Sequence, residues 1–528
     1  MAVRNYRLAA LAFFAAMAVL HSWPLASDLQ HLSRLDNHDA ELDTWIVAWV
    51  AHALAANPLH LFEAPIFYPE HHSLAFSEHM LVPSILGAPL LWAGLSPVLV
   101  YNVLIIAGFT LSGWAMFLLM DCWTRSTTAA IVAGLLYAFN AHTLTRFVHL
   151  QALHVEFFPL VLYALDRVLV DRTLKDSVLL AAAFVLQALC SNYLLVFTVY
   201  AMAIGVAVRW REINWKGLAI AGAISAAVMA PFLYPYLQVD REYGLARSVS
   251  DVTQYNAGWR DYFVTGGRLH YAWWSHVLFE GRTALFPGIT AILLAAVGLF
   301  SGRSIRDPRL RMTLAMIVMA VAVSFGTSLP GFALLFHYLP LFNGLRNVAR
   351  WGWLALAGIS VLAGFGVAAL ERRQWRSWHS IAVALCVLVT AESIRTPVGF
   401  TRFEGIPHIY DRLAAETGAV VAEFPFFGGA SVSLNGPYVL ANTRYFTPLL
   451  NGYSSFHPES FMARARTLNS FPSEPALAEL RVTHVTHVMV HSESFARRYG
   501  QRALAAIDTI PDLQLIADED GIRLYRLK

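Results

Sequence analysis

Four carboxylates, Asp36, Asp39, Glu41 and Asp43, fall within eight residues in the stretch RLDNHDAELD. Carboxylates so close together can take a proton from an attacking hydroxyl, hold a divalent cation, or simply favour a helix N-terminus. Asp43 suits the last role, as a candidate N-cap of a following helix. Downstream, HLFEAPIFYPEHHSLAFSEH adds Glu63, Glu70, His71, His72, Glu78 and His79. These are candidate metal or substrate groups, but no H-E-x-x-H or similar ligand spacing supports metal. Metal is therefore left out of the expected site, and so is any other cofactor.

The elements that must position these groups follow from composition. Of 528 residues, 57% are hydrophobic and 14% charged, against about 25% charged in soluble proteins. The expected fold class is a polytopic α-helical membrane protein. A net charge of +3 gives no reason to expect nucleic acid. Cys122, Cys190 and Cys386 are widely spaced, so neither a zinc site nor a disulfide framework is expected.

Apolar stretches near 8–26, 98–120, 127–141, 154–170, 176–191, 192–208, 217–237, 284–301, 311–328, 351–370 and 378–394 read as spans. The apolar run from Leu8 to Leu25 exceeds the roughly 7–15 residues of a signal peptide, so it reads as an uncleaved first span. Basic clusters punctuate the spans: Arg4 and Arg7; Arg125; Arg167, Arg172 and Lys175; Arg209, Arg211 and Lys216; Arg303, Arg306, Arg309 and Arg311; Arg372, Arg373 and Arg376. Short loops rich in Lys and Arg stay cytoplasmic. Keeping all of them on one side requires that 81–96 not cross, and that 176–208 turn at Ser191–Asn192. The resulting expectation is about eleven spans, with the N-terminus cytoplasmic and the C-terminus periplasmic.

Residues 1–394 then form the transmembrane domain with an external first loop, 27–97. Residues 395–528 form a small periplasmic α/β domain. Its strands are expected at Val420–Phe424, His484–Val490, Leu513–Ala517 and Ile522–Leu527, the last after an Asp520–Gly521 turn. Helices are expected at Ser460–Asn469 and Ser494–Ile507. The helix in DTWIVAWVAHALAANP places Trp45, Ile46, Trp49, Val50, Ala53 and Leu54 on one face, the pattern of an interfacial helix. Gly358, Gly364 and Gly366 suit close helix packing.

Other polar groups belong to the same outer face. Arg346 and Arg350, in NGLRNVARWGW, suit an anionic ligand or interface anchoring with Trp351 and Trp353. Arg146 and His149, in AHTLTRFVHLQALH, occupy another external turn that suits the same cleft. Glu156 is an intramembrane carboxylate near the outer end, whereas Asp166 beside Arg167 reads as surface charge. In the tail, Asn451, Tyr453 and His457 suit a sugar or acceptor surface.

The stretches Asp39–Trp49, Ile66–Pro69 and Leu74–Glu78, and more weakly Arg346–Arg350 and Asn451–Tyr453, resemble those of bacterial GT-C-like membrane proteins. The plan of spans, acidic first loop and external tail is similar to that of protein O-mannosyltransferases and aminoarabinose transferases. The resemblance implies an inverting glycosyltransferase of the bacterial inner membrane. Its donor would be a polyprenyl-phosphate-linked sugar and its acceptor a glycan, lipid or protein. It also implies that Asp39 is the base, with Asp36 the alternative because the family's Asp-Glu or Asp-x-Asp signature is replaced here by Asp36-Asn37-His38-Asp39. Arg346, Arg350, Glu78, His79, Arg146 and His149 become substrate-binding candidates. A flippase for a lipid-linked glycan and a non-catalytic membrane assembly protein are the competing classes. The flippase would want paired broken helices in related halves, which the sequence lacks.

A periplasmic reporter fused after Lys528 is expected to be active and one fused after Arg376 silent. The reverse pattern of reporter activity would overturn the topology.

Overall fold

A computed structural model describes residues 2–245, 247–301 and 306–528, without the side chains of residues 2–4. Arg303 and the Arg4 side chain therefore lie outside the described residues. The chain forms two compact units. One gathers 1–28, 102–231 and 246–400, and the other 29–101, 232–245 and 401–528.

The first unit is helical. A helix occupies each of the eleven apolar stretches, but among the described residues three helices are long and apolar enough to cross a membrane: Pro97–Thr124, Trp215–Tyr243 and Val348–Glu371. The others are shorter. The predicted break at 191–192 is present: Leu174–Ala188 ends, and Ser191 caps Asn192–Val208 by accepting from the Tyr193 N–H at 3.1 Å. Helices Ile289–Phe300 and Gly352–Glu371 meet backbone to backbone. A Cβ on Gly366 would collide with the Leu294 carbonyl, and one on Gly298 with the Leu362 carbonyl. Small residues at such a seam let helices approach closely where lipid offers no hydrophobic drive.

Two sequence expectations are corrected in this unit. Asp166 is buried rather than a surface charge: it accepts from Arg209 Nη1 at 2.7 Å and Arg309 Nε at 2.8 Å. It thus ties Phe157–Val170 to the ends of two other helices. Trp351 and Trp353 are core residues rather than interface anchors, packed with Phe197, Tyr200, Phe158 and Tyr137. Glu156 is also buried, with its carboxylate 3.0 Å from His154 Nδ1.

The second unit carries the strands. β1 (Leu32–Ser33) pairs antiparallel with β2 (Thr401–Arg402). A four-stranded sheet has the order β3 (Val421–Phe424), β4 (His487–His491), β6 (Ile522–Leu527), β5 (Leu513–Glu519). β3 and β4 run parallel, and the other pairs are antiparallel. The β5–β6 hairpin turns at Asp520 and Gly521, both at positive φ, as a tight hairpin turn requires. The helix expected over Ser494–Ile507 is two, Ser492–Tyr499 and Gln501–Ile507. Gly500 at φ +91° separates them.

The tail is not closed on itself. Leu449 pairs beside Val421 of β3, and Leu450 N–H donates to the Val421 carbonyl. On the far side, Phe67 N–H donates to Asn451 O and Tyr68 N–H to Leu449 O, while Leu449 N–H donates to Pro65 O. The first loop thus extends the tail sheet, and residues 29–101 share one unit with 401–528. The helix His38–Ala56 is buried on nearly all faces, including Trp45, Val47, Ala48 and Val50. That corrects the one-sided interfacial helix: tail residues cover the face that lipid was expected to cover, with Trp45 Nε1 donating to Asn442 Oδ1 at 3.2 Å. The helix Leu81–Trp92 has 12 residues. At about 1.5 Å per residue it is too short for a hydrocarbon core of about 30 Å.

Replacing Asp166 by Ala leaves the buried Arg209 guanidinium with Glu212 as its one carboxylate partner and takes a partner from Arg309. The expected loss is about 1–3 kcal/mol, measured as a lower thermal midpoint in detergent. A midpoint equal to wild type would remove Asp166 as a helix clamp.

Candidate functional site

The helix His38–Ala56 places the carboxylates. Asn37, not Asp43, is its N-cap, accepting from the Asp39 N–H at 2.9 Å. This start puts Asp39 and Glu41 in the first turn, where the positive end of the helix dipole favours anions. Asp43 is buried inside the helix.

The cluster does not act as one group. Asp36 lies before the helix, exposed, and takes both Nε and Nη2 of Arg34 at 2.9 and 3.3 Å. Asp39 is partly buried and accepts from the Tyr453 hydroxyl at 2.5 Å, the short distance of a charge-assisted bond. Glu41 is buried, with Oε2 2.8 Å from His38 Nδ1. Burial pushes its carboxyl up to about 7, against the opposing pull of His38. The His38 ring in turn meets the Tyr453 ring edge-on at 6.3 Å.

Tyr453 is delivered by the preceding Asn451 and Gly452. Asn451 is fully buried: its Oδ1 accepts from Glu423 N–H at 2.8 Å and its Nδ2 donates to Glu423 O at 3.0 Å. It is a pin between sheet and loop, not the sugar-facing group expected of it. Gly452 lies against the Phe67 ring, with no room for a Cβ. His457 sits near Tyr453, ring centroids 6.4 Å apart.

The other first-loop candidates separate. His79 is buried against Phe62, Tyr236 and Phe232, and its Nδ1 accepts from Leu81 N–H at 3.1 Å. Burial lowers its pKa to about 4. It holds the start of Leu81–Trp92 and offers no surface to a substrate. Glu78 beside it is partly buried. His71 and His72 turn instead to Glu63, at 3.3 and 2.8 Å. Among the described residues, no three His, Cys, Asp or Glu side chains converge to hold a metal ion.

In the other unit, Arg146, His149 and Arg350 do gather, together with His142, which sequence reading passed over. The Arg146 and Arg350 charges act on both histidines and, after burial, are what hold them well below their usual pKa. His142 is buried with neither ring nitrogen hydrogen-bonded. The Arg350 guanidinium stacks 4.6 Å over Tyr193, whose hydroxyl accepts from Asn347 N–H at 3.0 Å, and Arg346 lies 5.0 Å over Tyr255. Two buried imidazoles thus share their surroundings with two guanidinium groups. The sequence signal for His142 is its place in the same AHTLTRFVH turn, seven residues before His149.

Because burial raises the Glu41 carboxyl above its unfolded value of 4.5, the fold keeps its proton where the unfolded chain loses it. Stability is therefore expected to fall as pH rises from 4.5 towards 7. Thermal midpoints across that window check this: Glu41→Gln is expected to flatten the slope, and an unchanged slope would exclude Glu41 as its source.

No protein-family model matches the sequence, and no curated protein matches it. Solved structures do match. The arabinofuranosyltransferase AftD from Mycobacteria superposes with a TM-score of 0.62 at 14% identity, over 99% of this chain and 40% of that one. The Archaeoglobus fulgidus oligosaccharyltransferase in its apo form gives 0.53 at 13% identity, over 92% of this chain and 70% of that one. This chain thus spans well under half the length of AftD. Both belong to the GT-C membrane glycosyltransferases, and theirs is the fold of this chain.

Proposed function

We propose that the chain is an inverting glycosyltransferase that moves a sugar from a polyprenyl-phosphate-linked donor to an acceptor hydroxyl at the periplasmic face of a bacterial inner membrane. The observation that carries this reading is the Asp39 carboxylate, oriented by Tyr453 on a capped helix turn within a GT-C fold. Both matched structures are glycosyltransferases by name, and this chain would share their reaction class.

Asp39 takes the proton of the acceptor hydroxyl as its oxygen attacks the anomeric carbon. The carbon–oxygen bond to phosphate breaks in the same displacement, so the configuration inverts and the electron pair leaves with the phosphate. A developing phosphate charge needs fixed cations; within the helical unit, Arg146 and Arg350 are the candidates for a phosphate ligand, with His142 and His149 beside them. Asp36, held by Arg34, has the weaker case for base, since a bidentate ion pair occupies its carboxylate.

The topology proposed with this function is eleven crossings, N-terminus cytoplasmic and C-terminus periplasmic. Contacts inside the second unit support its parity. β1 pairs with β2, and Tyr236, at the end of a proposed span, donates to the Ser77 carbonyl at 2.9 Å, which favours one side for residues 29–97, 238–245 and 401–528. Six proposed spans separate 97 from 238, and ten separate 97 from 401; both numbers are even.

In a deletion strain, Asp39→Asn is expected to leave protein levels intact and to lower transfer by about 10²–10⁴-fold. The lipid-linked donor would accumulate, as read by mass spectrometry, while Asp36→Asn rescues. Full rescue by Asp39→Asn would remove it as the base. Arg350→Ala is expected to raise the donor KM more than the acceptor KM; an unchanged donor KM would separate this cluster from the phosphate.

A further inference from the structure

Two adjoining cavities of about 640 and 510 Å³ lie wholly within the second unit and share Pro437, Tyr438, His491 and Ser494 as walls. The first also borders Asp36 and Glu41, and the second borders His38. Since His38 and Glu41 are paired at 2.8 Å, the combined groove begins at the helix turn that carries Asp39. Both volumes suit a small ligand, for which sites run about 300–1,000 Å³.

The wall has a definite chemistry. Tyr438 stacks on His491 at 4.6 Å and 26°, and on Phe427 at 6.0 Å and 24°, giving a strip of three rings. Behind it, fully buried Glu423 accepts from His491 Nε2 and from the Tyr410 hydroxyl, each at 2.7 Å. With Nε2 held there, Nδ1 is the His491 nitrogen left for a ligand. A buried carboxylate–imidazole pair is poor value for stability against an apolar replacement, whereas it fixes a ring's orientation well. Five carboxyl groups, Glu41 among them, face one guanidinium around the larger cavity, and Arg497 and Arg498 line the smaller, so the combined lining is net acidic and disfavours an anionic phosphate lipid. Aromatic faces for the C–H side of sugar rings, with carboxylates and an imidazole for their hydroxyls, fit an uncharged oligosaccharide.

We propose that this groove is an acceptor subsite that holds an uncharged oligosaccharide beside the Asp39 turn; it rests on the transferase reading above. The test uses the full chain in nanodiscs and three neutral probes, linear mannan, arabinan and glucan oligosaccharides, with an oligogalacturonate as the anionic counterpart. At least one neutral probe is expected to bind wild type and Asp39→Asn equally, and the anionic probe to bind neither. Ser494 is exposed and lines both cavities, so Ser494→Trp fills the groove without disturbing the core. It and His491→Ala are each expected to weaken binding about tenfold or more. Absence of binding by all three neutral probes, tighter binding of the anionic probe, or unchanged affinity in Ser494→Trp would overturn the proposal. The two readings fail separately. Full transfer by Asp39→Asn with intact binding would remove the base and leave the groove. Asp39-dependent transfer with an unchanged acceptor KM in Ser494→Trp would remove the groove alone.

Discussion

The second unit depends on a short run of backbone, 449–451, caught between two partners. On one side it bonds β3, and on the other it bonds residues 65–68 of the first loop. Unpaired backbone groups in a buried place are costly, so this double pairing fixes the register of loop against sheet. Asn451 locks it with side-chain bonds to both backbone groups of Glu423. Gly452 lets the Phe67 ring lie against the chain. Tyr453 then has one place to go, and Asp39 is there. The position of the proposed base is thus a consequence of sheet pairing as much as of its own helix.

The same run explains why some features were legible in the sequence and others were not. The four tail strands were readable because short β-rich runs with an Asp520–Gly521 turn carry their signal locally. The break before Asn192 was readable because charge clusters constrain the number of crossings. What escaped was set by partners distant in sequence. Asp166 reads as a surface charge beside Arg167 because its real partners lie 43 and 143 residues away. The helix His38–Ala56 has apolar residues beyond one face, notably Val47 and Ala48, because it packs against both Leu81–Trp92 and the tail. Asn451 has the chemistry of a sugar-binding amide, and burial alone shows it is spent on the backbone.

Within the site, Asp36 and Asp39 are alike in sequence and unlike in surroundings. One is exposed and bound to a neighbour two residues away; the other is bound to a residue from the far end of the chain. Spacing predicted a cluster of carboxylates, but the capping choice of Asn37 over Asp43 distributes them into separate roles. In the helical unit, by contrast, the expected topology put Arg146, His149 and Arg350 on one outer face. That reading missed His142 because a histidine inside an apolar turn looks like filler until its two guanidinium neighbours are seen.

The Asp39–Tyr453 bond joins positions 414 residues apart, which sets an order of events during biogenesis. At ribosomal rates of about 5–20 residues per second, the aspartate waits roughly 20–80 s for its phenol to be synthesised, before the tail's folding time is counted. Throughout that interval the nascent chain holds its carboxylate without the group that aims it. A chain ending at residue 394 would carry the proposed base without the phenol that orients it.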